Sequence, residues 1–230
     1  MKLAAKISPD FEEENIHKVR TTIKKMRAIG DWADVPVKSF FKKDYRILGN
    51  IRDTQLLLSK IKNGDYVVTP AFTDWLENGL LHHKAEWQKK YQHKRMKKQL
   101  SDLEETLNEA GRRNKHSLKF EKQKDQTLGS FAHERPISDE KIHSGRKAMK
   151  EIGFLNKWEK NSSDEQMKKL SDETGNYMDR INAIRLLEQY LSDETDESNK
   201  NGAELILSDW KADKEQEKIN LLKRIDSLPA

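Results

Sequence analysis

The chain repeats itself at a constant offset of 126 residues, and the repeat preserves charged and special residues rather than interchangeable hydrophobics. Ile16-His17-Lys18-Val19-Arg20 returns as Ile142-His143-Ser144-Gly145-Arg146. At the same offset Lys24 falls on Lys150, Trp32 on Trp158, Lys42-Lys43 on Lys168-Lys169, Gly49-Asn50 on Gly175-Asn176 and Asp53 on Asp179. Ten identities fall in the 46 gap-free positions from residue 16 to residue 61. A repeat at fixed spacing constrains architecture before any local pattern does. Two related halves are therefore expected, each keeping the same few polar side chains.

Composition says what those halves are made of. Charged residues make up 36% and hydrophobic residues 34%, with only 10 Gly and 5 Pro in 230 residues, a balance typical of long amphipathic helices. The expected fold is all-α: two antiparallel helical bundles related by internal pseudo-twofold symmetry, within one domain over 1–230. Residues 9–110 form the first repeat, 111–137 a connector and 138–226 the second repeat. No apolar run approaches the length of a membrane span. Met1 to Ile7 lacks a signal peptide's apolar stretch, and zero cysteines removes disulfides and thiolate chemistry, so a cytoplasmic location is expected.

Helix signals recur along the chain. Ser8-Pro9-Asp10 is a helix start, and Ile16, Val19, Ile23 and Met26 follow at helical spacing. Asp34-Val35-Pro36 begins a second helix to about residue 63, with Gly49 in its interior. Glycine there costs about 1 kcal/mol against alanine, so its return as Gly175 implies close approach by a helix or ligand. Thr69-Pro70 opens a third helix to about Glu109. Ser138-Asp139-Glu140 caps the helix that opens the second half, and helices near 164–195 and 200–226 follow, with a turn from Asp196 to Gly202. Residues 112–137 read as a connector with partial helix. Trp32 and Trp158 are expected as core anchors.

His17, Arg20, Lys24 and Arg27 lie at i, i+3, i+7 and i+10, a stripe displaced by roughly 100° from the apolar one. Cations at the edge of a core face suit anion binding, because partial desolvation strengthens each contact while their stems rest on apolar surface. His143, Arg146 and Lys150, with Lys147 beside them, repeat the row. For Arg20 and Arg146 two roles stand open, ligand contact and a buried ion pair with the repeated acids Asp53 and Asp179. The charge is uneven: residues 1–110 carry a net +5, residues 111–141 a net +3 and residues 142–230 a net −3. An anionic partner favouring the front of the chain is implied.

The pattern His-x-x-Arg-x-x-x-Lys-Lys-x-Arg at 17–27, followed by Leu-Gly-x-x-Arg-Asp at 48–53, resembles the conserved-histidine α-helical domain (CHAD) family. His143, Arg146 and Lys150, then Thr-Gly-x-x-x-Asp at 174–179, resemble that family's second half. The resemblance covers about residues 9–226. It implies non-catalytic binding of inorganic polyphosphate in a basic groove between two helical bundles, and association with polyphosphate granules and their proteins. Carried onto this chain, the binding set is His17, Arg20, Lys24, Lys25, Arg27, Lys42, Lys43, Arg52, His143, Arg146, Lys147, Lys150, Lys168 and Lys169. Asp53, Asp179, Gly49 and Gly175 are its structural support. Glu151, Gly153 and Met178 depart from the family's pattern and shift the weight toward the first half.

Three rivals use the same residues differently. An enzyme acting on phosphoanhydrides would need a metal motif or phosphate loop, and the sequence carries neither a His-Glu-x-x-His run nor a glycine-rich phosphate loop. No catalytic residue, metal or cofactor is expected. A helical scaffold would bind protein through the charged helix around 84–109. A nucleic-acid binder would use the same cations, but the basic–aromatic interleaving of single-strand binders is missing. His17 and His143 are expected to add positive charge as pH falls below about 6.5.

Overall fold

The structure is a computed structural model that describes residues 11–33, 42–90, 105, 118–158 and 165–227. Among them the chain is all-α, with seven helices and no strand: α1 (Glu13–Trp32), α2 (Lys42–Lys62), α3 (Pro70–Lys90), α4 (Leu118–His133), α5 (Asp139–Trp158), α6 (Glu165–Asp193) and α7 (Glu197–Asp226). None is long and apolar enough to cross a membrane. The helix starts expected at Ser8-Pro9-Asp10 and Asp34-Val35-Pro36, and the end of the third helix near Glu109, lie outside the described residues.

The helices gather into two compact units, one from Met1–Gly49 and Lys84–Lys168, the other from Asn50–His83 and Lys169–Ala230. Each unit thus draws on both halves of the sequence. In the first, α1 packs against α5 and α4, and α4 against α5. Ile16 and its repeat equivalent Ile142 are both 0% exposed. Burying each isoleucine stabilises the unit by roughly 1.5–3 kcal/mol. Most of the expected connector is helix α4, whose Phe131 is buried. A Cβ at Gly145 would lie 2.4 Å from the Phe131 ring, so the glycine leaves the hollow that this ring fills. Ser138 caps α5 as its sequence predicts, its Oγ accepting the Lys141 N–H at 3.3 Å.

In the second unit Leu57, Phe72, Leu76, Leu187, Tyr190, Ala203 and Trp210 share one core drawn from α2, α3, α6 and α7. Aromatic rings dominate it: Phe72 and Tyr190 have centroids 5.3 Å apart, Tyr66 and Trp210 4.7 Å. The turn expected at Asp196 to Gly202 is shorter than predicted, because α7 begins at Glu197. Asp196 caps it, accepting the Asn199 N–H at 3.0 Å, and Glu194 accepts the backbone N–H groups of Thr195 and Asp196 just before. Tyr190 also donates its hydroxyl to Glu194 at 2.6 Å. That bond and the two backbone donors hold the Glu194 carboxyl down at about 2, while burial, then the same bond, push the Tyr190 phenol up to about 12. Trp32 is only half-buried and the Trp158 side chain lies outside the described part; among the described side chains Trp87 and Trp210 are buried.

Candidate anion-binding site

The cationic row of α1 is built by the periodicity that buries Ile16, Val19 and Ile23 on the adjacent stripe. Glu13 and Glu14 occupy the first turn, where acids complement the helix dipole. Arg20 and Arg27 are half-buried, Lys24 likewise, and His17 and Lys25 are exposed.

Arg20 turns toward α2, where Nη1 donates to the Tyr45 carbonyl oxygen at 3.0 Å. Its guanidinium also lies 4.5 Å from the centroid of the Tyr45 ring, and that of Arg27 lies 4.3 Å from the same centroid. One tyrosine therefore carries two guanidiniums from α1. Gly49, one turn beyond Tyr45, explains how Arg20 reaches it: a Cβ there would stand 2.7 Å from Arg20 Nη1. The close approach expected at this glycine is thus by an arginine of the basic row itself.

Of the two roles open to Arg20, pairing with Asp53 is not the one adopted: among the described residues no carboxylate pairs with Arg20. Asp53 belongs to the second unit, where Arg185 lies 3.9 Å from it. Together with Asp179, Lys60 and Tyr66 it lines a cavity of about 10 Å3, the size of one water. Arg27 likewise lacks a carboxylate partner among the described residues, and its buried Nε has no hydrogen-bond partner there. Burial lowers the Arg27 pKa, helped by the charge of Arg20 and opposed by Tyr45 and Asp31.

The second row comes from α5. Arg146 is half-buried, also without a carboxylate partner among the described residues, and its Nε is buried and unbonded there. His143 keeps solvent contact, yet desolvation, and then the charges of Arg146, Lys147 and Lys24, push its pKa below the ordinary histidine value. His143 therefore gains its charge at a lower pH than the ordinary histidine value that was expected. The charge of Lys24 on α1 thus reaches His143 on α5, across the contact between the two helices. Lys25 Nζ, next along α1, lies 5.9 Å over the Phe154 ring of α5.

Glu151, the acid that interrupts the second row, is buried at 6% exposure and paired with Lys124 of α4, with Lys147 Nζ at 3.8 Å on its other oxygen. Its charge is answered by two lysines, one of them from α4. Lys150 is half-buried on the same helix, and Lys42 and Lys43 are exposed at the start of α2, ahead of Tyr45. Lys168 is exposed near Glu165.

The first unit therefore holds His17, Arg20, Lys24, Lys25, Arg27, Lys42, Lys43, His143, Arg146, Lys147, Lys150 and Lys168, with Gly49. Arg52, Lys169, Asp53, Asp179 and Gly175 belong to the second. Charge follows the same division. The sequence ranges of the first unit carry 32 Lys and Arg against 21 Asp and Glu, a net of +11. Those of the second carry 12 against 18, a net of −6. Sequence reasoning missed Tyr45, whose one signal was its place a turn before Gly49, and Lys124, which carried none. Compared with known proteins, the chain matches no family model, no curated sequence and no solved structure.

Proposed function

We propose that the chain binds inorganic polyphosphate, or a polyanion of similar linear charge, without cleaving it, on the basic face that α1 and α5 contribute to the first unit. The observation that carries this reading is the condition of three arginines. Arg20, Arg27 and Arg146 are half-buried, and among the described residues none is in ion-pair contact with a carboxylate, although the charge of Asp31 acts on Arg27. A partly desolvated cation without a carboxylate in contact is costly, and phosphate oxygens offer charge-assisted, bidentate hydrogen bonds to a guanidinium. The spacing of histidine, arginine and lysine shared with the CHAD family points to the same ligand. On this reading the 126-residue repeat is a duplicated unit with pseudo-twofold symmetry, each copy lending its opening helix to the site. The protein then works in the cytoplasm, at polyphosphate granules and among their proteins.

Titration of the purified chain with long-chain polyphosphate, with RNA at matched phosphate concentration and with inorganic triphosphate as controls, tests the reading. Binding should weaken steeply as salt rises, by analogy with counterion release from other polyanions, and no orthophosphate should be released with or without magnesium. A flat salt response, tighter binding of RNA, or phosphate release would each overturn it.

A further inference from the structure

We infer that Tyr45 and Gly49 set the selectivity of this surface, by holding the Arg20 and Arg27 guanidiniums as a fixed pair that engages two phosphoryl groups of one chain at once. The inference rests on the polyphosphate reading above. Arg20 and Arg27 stand seven residues apart, roughly 10 Å along the helix. Both guanidinium carbons nonetheless lie within 4.5 Å of one ring centroid, which caps their separation at about 9 Å. Two like charges left in water would drift apart on their flexible stems. Here the electron-rich ring attracts both, and the Tyr45 carbonyl fixes one of them at 3.0 Å.

A comparable arrangement in the second unit shows what the first one leaves unused. Arg180 lies 4.7 Å from the Tyr66 centroid, but Nε and Nη2 both donate to Glu217, at 3.1 and 2.9 Å, and Nη1 lies 3.6 Å from Asp213. That guanidinium is consumed by protein carboxylates. Among the described residues the Tyr45 pair is held by an aromatic ring and a carbonyl, with only the charge of Asp31 acting on Arg27 and no carboxylate in ion-pair contact, so guanidinium donors remain for an outside anion. Orthophosphate can meet one guanidinium, whereas a condensed chain presents successive phosphoryl groups and can meet both. Preorganisation of the pair lowers the ordering cost of binding.

The glycine supplies a clean test. In Gly49→Ala the new methyl group meets only the tip of a flexible side chain, so the helix should stay folded while Arg20 is forced out of its notch. Wild type, Gly49→Ala, Tyr45→Leu and Tyr45→Phe are titrated with tripolyphosphate and with orthophosphate over a range of salt. Gly49→Ala and Tyr45→Leu should bind tripolyphosphate about tenfold more weakly, with Tyr45→Phe near wild type because the ring remains. The salt slope of Gly49→Ala should fall by about one, as for the loss of one phosphate contact, and weak orthophosphate binding should not change. Wild-type affinity and salt slope in folded Gly49→Ala would overturn the inference while leaving the polyphosphate reading standing, and this variant decides alone if Tyr45→Leu fails to fold. Absence of any condensed-phosphate binding by wild type would instead remove the reading, and the inference with it.

Discussion

A guanidinium taken partly out of water needs something to replace its hydration, and the chain provides this in two ways. Arg180 is answered by Asp213 and Glu217, whereas Arg20 and Arg27 are answered by a ring and a carbonyl. His143 reports the second situation. Its folded pKa is lowered from the ordinary 6.5 by desolvation and by Arg146, Lys147 and Lys24. As pH falls below 6.5 the unfolded chain takes the proton first, so His143 makes folding stability decline with acid until its own folded pKa is passed. A bound polyanion should reverse the electrostatic part, raising the His143 pKa and coupling binding to proton uptake. An NMR titration of the histidine ring protons, with and without polyphosphate, checks this; a free-protein His143 that titrates at 6.5 or above would refute it. The basic row was legible because helical spacing alone puts His17, Arg20, Lys24 and Arg27 on one stripe. Tyr45 was not, because it meets Arg20 across 25 residues and one helix connection, a relation that no local period encodes.

At the scale of elements, the same exchange of glycine for alanine should have opposite results at two positions. At Gly49 the new methyl group meets a flexible arginine tip, and alanine's better helix propensity should leave stability unchanged or improved. At Gly145 it meets the Cγ, Cδ2 and Cβ atoms of Phe131, a buried ring with nowhere to go, at 2.4 to 2.9 Å. Gly145→Ala should therefore destabilise the α4–α5 contact by about 1–3 kcal/mol, read as a lower melting temperature, and an unchanged melt would show that α4 does not pack there. Most helices could be read from the chain because their caps and apolar stripes are local: Ser138 ahead of α5 and the Ile16/Val19/Ile23 stripe of α1 are examples. Helix α4 is only partly legible, as a connector with partial helix, because its lysines and glutamines hide its apolar residues, and Phe131 gains meaning only from the hollow at Gly145. The early start of α7 was missed for a related reason, since Asp196 reads equally well as a turn residue and as a cap until its bond to Asn199 is seen.

For the whole molecule, the formal net charge of +5 is the remainder of +11 in one unit and −6 in the other. Dividing the sequence at residue 142 blurred this, because each unit takes chain from both halves. Polyanion affinity should consequently follow the charge of the first unit and not the total. Replacing Arg20, Lys24 and Arg27 by alanine, or replacing Lys200, Lys211 and Lys214, lowers the formal charge equally, to +2. The first triple variant should lose most of its polyphosphate affinity and the second very little, since its three lysines already sit beside Glu197, Glu188 and Glu215. Equal losses from the two folded triples would mean that bulk charge governs binding. The notch at residue 49 has a further consequence for anyone reshaping this protein. A library sorted only for heat resistance should enrich alanine at that position, because such a screen rewards helix propensity and is blind to where an arginine points, and its most robust survivors would be those in which Arg20 had lost its place and, with it, the proposed binding.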